Sequence, residues 1–245
     1  MGSDLPSAAA DTFCREILDS DDAVLPAARA LYESVLDEDE RIPWEWLART
    51  PERRRSWRPG QRRSHLVVAV APELPNRPLG FGYGAFLPGY GGYVCYLGVA
   101  PAARGRGIGR RLFEFLFERI ADAARLSGMP LPFIIWESHR PHDDAGLWAT
   151  RLRVFDRVGG LWARGLEMQT PNYMRPDASP VRLQIFLRPR DDPAASFDAD
   201  RLRDAVAGLY HEVYHIPPDD PLYQATMDGA VNPRLVPAVE ALKEA

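Results

Sequence analysis

The chain has 245 residues, 46% of them hydrophobic and 26% charged, and a net charge of −4 at neutral pH. That balance supplies core and surface for one or two folded domains and excludes a disordered chain. No apolar run approaches the roughly 18 residues of a membrane-spanning helix, and the acidic total argues against general attraction to nucleic acid or membranes.

Lys243 is the one lysine, which removes a P-loop and a Schiff-base lysine from consideration. Cys14 and Cys95 form no disulfide framework, and Cys95 sits in a strand-like run that suits a buried thiol. The opening "MGSDLPSAAADTF" has no basic segment followed by an apolar one, and Pro6 stands where a myristoylation signal needs Ser or Thr. A cytoplasmic protein is expected, with residues 1–10 flexible.

In chain order, "DTFCREIL" reads as a first strand, and Ala23 to Leu36 as a helix with a stripe through Leu31, Tyr32 and Val35. A second helical piece starts near Pro43 and carries Trp44, Trp46 and Leu47. The basic stretch "RTPERRRSWRPGQRR" is expected to be a solvated loop; a nucleic-acid patch is the lesser reading in an acidic chain. Three strands follow, at 65–70, 79–86 and 93–99, divided by Pro/Gly turns and spaced as antiparallel neighbours. In the second, Gly80, Gly82 and Gly84 leave one face almost without side chains, so a ligand or an aromatic ring is expected against it.

The strand at 93–99 then runs into "APAARGRGIG" and an amphipathic helix with Leu112, Phe115, Leu116, Ile120, Ala123 and Ala124 on one face, stopped by Gly128 and Pro130. Gly105, Gly107 and Gly109 clear side chains from the backbone, the first helical turn offers unpaired N–H groups, and Arg104, Arg106, Arg110 and Arg111 add charge. A pyrophosphate fits this turn. The dinucleotide fingerprint does not, because the glycines run G-x-G-x-G and no β-α-β unit precedes them.

Farther on, "PFIIWES" reads as a fifth strand, "RLRVFDRVGG" as the end of a helix, and "LWARGLEMQ" and "VRLQIFLRP" as two more strands. His139, His142, Asp143 and Asp144 form a polar loop. From Asp191 onward a helical extension is expected, and it holds His211-Glu212-Val213-Tyr214-His215, the H-E-x-x-H pattern of zinc peptidases. At about 100° per residue, Leu202, Val206, Leu209 and Val213 share an apolar arc that Tyr210 and Tyr214 widen, which leaves His211 and His215 on a wet face. Pro217 and Pro218 cut the helix short of the longer zinc motif, so no metal is expected.

Arg104-Gly105-Arg106-Gly107-Ile108-Gly109 fits Gln or Arg, any two residues, Gly, any residue, then Gly or Ala. With "YLGVAPAAR" before it and the amphipathic helix after it, this segment resembles motif A of the GNAT superfamily of N-acetyltransferases, and the resemblance runs from about residue 11 to 190. It implies an α/β (α+β) fold: a mixed, mostly antiparallel sheet flanked by helices, here with residues 191–245 as a helical C-terminal extension. It implies an acyltransferase that uses acetyl-CoA as cosubstrate and an amine as acceptor, with a homodimer left open.

By the same resemblance, the pyrophosphate lies on Arg104, Gly105, Arg106, Gly107, Ile108, Gly109 and Arg110. The pantetheine pairs with the strand at Leu97, Gly98 and Val99, where an N–H polarises the acetyl carbonyl. The family's proton-donating Tyr maps to Phe155, which cannot donate, so either the thiol leaves as a thiolate without a donor or Tyr173, Ser138 or Tyr93 replaces it. Glu137, at the end of the fifth strand, is the expected base; a strand-end salt bridge is its other reading. For the acceptor, Asp37, Glu38, Asp39 and Glu40 with Trp44 or Trp46 are expected to hold a cationic small amine, unless the acids cap helices and the tryptophans are core. A protein N-terminus or lysine stays open as acceptor, and a non-catalytic acyl-CoA sensor as function.

Overall fold

Eight strands form one sheet: Phe13–Glu16 (β1), Arg63–Val70 (β2), Gly80–Leu87 (β3), Gly91–Val99 (β4), Phe133–His139 (β5), Leu161–Thr170 (β6), Val181–Pro189 (β7) and Arg234–Pro237 (β8). Their order is β1-β2-β3-β4-β5-β7-β6-β8, antiparallel at every pairing except β4–β5. The helices are Leu25–Val35 (α1), Trp44–Ala48 (α2), Thr50–Arg55 (α3), Ile108–Leu126 (α4), Ala145–Arg157 (α5), Ala199–Leu209 (α6) and Pro221–Asp228 (α7). This computed structural model describes residues 12–141, 144–173, 175, 177 and 179–244. Residues 1–10, His142, Asp143 and the side chain of Asp39 lie outside the described residues.

The parallel pairing follows from α4, because a helix between two strands crosses the sheet and brings the chain back in the same direction. Alternation along the strands then sorts the core. Val67, Val94, Ile134, Trp136 and Phe186 face α4 and α5. On the other face Leu66, Val68, Phe81 and Tyr96 pack against α1 and α2, and Ile135, Ile185, Leu187 and Met168 against α6.

The glycine face of β3 is covered by neither a ligand nor an aromatic ring. A Cβ on Gly80 would lie 2.7 Å from Leu112 Cδ1, and one on Gly84 would lie 3.3 Å from Leu116 Cδ2, so aliphatic side chains of α4 fill the space. Gly84 also sits opposite a break in register: Tyr83 pairs with Tyr96 and Gly84 with Val94, which leaves Cys95 as a β-bulge.

Two expectations need correction. The basic stretch is not wholly loop, because Pro51 and Glu52 in a first turn and Arg53–Arg55 in a last turn complement the helix dipole and make α3. The C-terminal region contains α6 and α7 but is not only helical, since β8 returns to pair with β6 through Leu161–Arg164.

Candidate active site

β4 and β5 pair only through Gly92–Val94 and Ile134–Trp136. Beyond Trp136, β5 stays paired with β7, while no strand pairs with β4 on that side. The two central strands therefore part, and a cavity of about 1490 Å³ opens between them, lined from one face by the start of α4 and by α5, and from the other by the ends of α1, α3 and the segment around Tyr214.

Glu137 stands where the strands separate. It follows Ile135 on the same face of β5, and its Oε1 accepts hydrogen bonds from Tyr93 Oη at 2.5 Å and from Tyr214 Oη. Oε2 is buried and has no hydrogen-bond partner among the described residues. Burial pushes this carboxyl up to about 7, against the two phenol hydrogen bonds that pull it down. Burial also drives the Tyr93 and Tyr214 phenols well above their ordinary range, so both stay protonated as donors. The Cys95 thiol, pushed up to about 12 by burial and by the Glu137 charge, is no nucleophile at neutral pH.

Tyr173 stacks on Tyr214 at 6.3 Å and meets Trp46 edge-on at 6.2 Å, so three rings from separate segments make one wall. Burial pushes the Tyr173 phenol up to about 12. Glu40 lines the opposite side, with its Oε1 3.1 Å from His139 Nδ1 and its carbonyl accepting from Tyr96 Oη at 2.8 Å.

At the far end of the cavity, Gly107 caps α4 with φ +75° and Gly105 has φ +78°. A Cβ on either would meet nothing within 4 Å, so the concavity before the α4 N–H groups is open. The left-handed backbone is what requires glycine there. Gly109 differs: it is helical, and an added Cβ would make ordinary contacts with Val99, Leu97 and Val154. Leu97, Gly98, Val99, Arg104, Ile108 and Arg110 all line the cavity. Arg110 is also paired with Glu114 at 2.8 Å. This open cradle, with its unpaired helix N–H groups and arginines, fits a pyrophosphate.

Several predicted site residues fall elsewhere. Trp44 is core, its ring 5.5 Å from Tyr32, and of the two it is Trp46 that lines the cavity. The reason is helical phase: Trp44 and Leu47 share the buried face of α2, and Trp46 is turned away from it. Glu38 is exposed and outside the lining, so of the acidic run Glu40 is the member whose described side chain reaches the site. Phe155 borders the cavity but is held in an aromatic cluster, 4.7 Å from Phe186 and 5.6 Å from Trp136. Gly160 is required by the same cluster, because a Cβ there would sit 2.5 Å from Trp136 Cζ2.

Residues 22–129 match the model of the acetyltransferase (GNAT) family. That segment is a GNAT acetyltransferase domain by this match. The match supports an acyltransferase, and the GNAT family uses acetyl-CoA. A solved structure described as a GNAT-family acetyltransferase from Bacteroides thetaiotaomicron has the same fold, with 19% identity over 84% of this chain and 99% of that one and a TM-score of 0.57. Two more similar structures are a GNAT-family protein from Desulfovibrio desulfuricans (17% identity, 73% of this chain and 98% of that one, TM-score 0.48) and the ribosomal-protein-S18-alanine N-acetyltransferase from Escherichia coli (12%, 73% and 93%, 0.47). No curated protein matches the sequence. The GNAT match ends before Glu137, so the carboxylate, Tyr173 and Tyr214 lie in chain that the family model does not cover.

The H-E-x-x-H segment is not an α-helical pair. Tyr210–Tyr214 is a π turn and His215 takes a left-handed conformation, with His211 Nδ1 2.9 Å from Glu212 Oε1 and His215 Nδ1 3.2 Å from the His211 carbonyl. Both histidines are exposed. No group of three metal-ligating side chains occurs among the described residues.

Proposed function

We propose that the protein transfers the acetyl group of acetyl-CoA to the amine of a small molecule, with Glu137 carrying the proton. The supporting observation is the carboxylate itself: buried, tied through one oxygen to two phenols, and free at the other oxygen, in the same cavity as the Gly105–Gly107 cradle. Transfer forms a C–N bond and breaks the thioester C–S bond, and the proton that nitrogen loses ends on sulfur. Tyr93 and Tyr214 fix Oε1, which leaves Oε2 to take the proton.

The pKa order selects the donor that returns it. A thiol ionises near about 8.5, below a phenol held at about 12 and above a carboxyl held at about 7. Proton delivery from Tyr173 to the departing sulfur is therefore uphill, and delivery from protonated Glu137 is downhill. In this reading Glu137 acts first as base and then as acid, Tyr173 contributes a hydrogen bond, and Phe155 in the family's tyrosine position is no obstacle. The test is thiol release from acetyl-CoA over a panel of amines. Amine-dependent release is expected; bound acetyl-CoA without release would leave an acyl-CoA-binding protein that does not turn over.

A further inference from the structure

The acidic run before α2 suggested an acceptor rich in positive charge, but the cavity wall on the side opposite α4 is built differently. Arg53 and Arg54 from α3, Arg62 and Arg63 entering β2, and Trp57 between them all line it. Its acids are Glu40 and Glu137, and Glu40 is engaged by His139. Two of the arginines are occupied: Arg54 pairs with Glu16 at 2.7 Å, and Arg63 lies 4.5 Å over the Trp57 ring. The other two are not neutralised. Among the described residues neither Arg53 nor Arg62 has an ion-pair partner, and Arg62 donates to the Glu212 carbonyl at 3.5 Å.

Two uncompensated guanidinium groups in a concave wall raise the local concentration of anions and repel polycations. They also favour the neutral form of a nearby amine, which is the form that attacks a carbonyl. Guanidinium forks match carboxylate and phosphate oxygens, so the recognised group is an oxyanion. We propose that the acceptor is a small amine bearing a carboxylate or a phosphate, which Arg53 and Arg62 hold while its nitrogen reaches Glu137. This rests on the acetyl-transfer reading above and names the class of acceptor it would use.

The experiment is a steady-state thiol-release assay with acetyl-CoA and matched amines. One arm pairs amino acids with their primary amides, and the other pairs phosphoethanolamine with ethanolamine. The wild-type protein is expected to prefer the anionic member of one arm by at least about tenfold in kcat/KM, and that arm identifies the oxyanion. Arg53→Gln and Arg62→Gln are each expected to lower kcat/KM for that amine by roughly 10–100-fold, mainly through KM, the size of one lost charge-assisted contact. Calorimetric affinity for acetyl-CoA should stay the same in both variants.

Equal or better use of the neutral members by the wild-type protein would overturn the inference and leave acetyl transfer standing. A tenfold loss of acetyl-CoA affinity in either variant would assign these arginines to the cosubstrate and overturn it too. Bound acetyl-CoA with no release to any amine would overturn the transfer reading, and this inference with it. The wild-type comparison does not depend on whether the variants fold.

Discussion

Replacing Glu137 by Gln separates what burial costs this site from what it provides. The carboxyl ionises near 7 in the folded protein and near about 4.3 in an unfolded chain, so between those values the folded state holds the extra proton and stability falls as pH rises. Integrating the linkage gives a penalty of about 1 kcal/mol at pH 5 and about 3.6 kcal/mol at pH 8. Gln keeps the shape and one acceptor for Tyr93 and Tyr214, and carries no charge to desolvate. Its amide nitrogen replaces the unpartnered Oε2, at a cost of about 1 kcal/mol that does not vary with pH. The variant should therefore match the wild type near pH 5 and exceed it by roughly 2.6 kcal/mol at pH 8, a difference of about 5–10 °C in Tm for a chain of this size. Thermal melts at the two pH values measure it, and thiol release should fall by about 10²–10⁴-fold. In the wild-type protein, kcat/KM should rise with pH and reach half its plateau near 7. A Tm difference that is the same at pH 5 and pH 8 would refute the argument that Glu137 is a buried carboxylate with a raised pKa.

Tyr214→Phe removes one of the two hydrogen bonds that lower the Glu137 pKa, so the midpoint of the pH–rate profile should move up, by about one unit; an unmoved midpoint would detach Tyr214 from the carboxylate. Gly107→Glu places a side chain on a left-handed backbone and a negative charge against the α4 N-terminus, and should abolish calorimetric binding of acetyl-CoA; unchanged affinity would remove the cradle from its assigned role. Replacing His211, which is exposed and outside the cavity lining, by Gln should leave Tm within about 1 °C and thiol release unchanged, since exposed substitutions move stability by no more than about 0.5 kcal/mol. A zinc content near one per chain that vanishes in this variant would restore the peptidase reading.

The sheet, the α4 turn and Glu137 were legible because each depends on local pattern: alternation in β2 to β5, glycines at fixed offsets, and a charged residue after four apolar ones. Tyr214 was not. It lies 77 residues from Glu137, and the helical stripe placed it correctly on the apolar face without saying which part of the protein that face meets. One signal was present: Tyr210 and Tyr214 sit four apart on a buried stripe, and a buried phenol needs a hydrogen-bond partner. Trp44 and Trp46 could not be told apart, since a five-residue helix gives little phase information. The arginines of α3 read as solvated because charge runs are usually wet, and only the fold turns Arg53 and Arg62 toward a cavity.

The β8 strand gives the last part of the chain a second attachment. The segment that delivers Tyr214 leaves β7, crosses the sheet as α6, and is tied down again where Leu235 and Val236 pair with Ala163 and Trp162. A fragment cut at Pro189, where the resemblance to the family stops, would strip α6 from Ile135 and Ile185 and lose one of the two phenols on Glu137. Domain boundaries drawn from sequence likeness would thus amputate part of the wall and hydrogen bonding around Glu137, the proton carrier we propose, and expression or grafting that keeps this site requires the chain through β8.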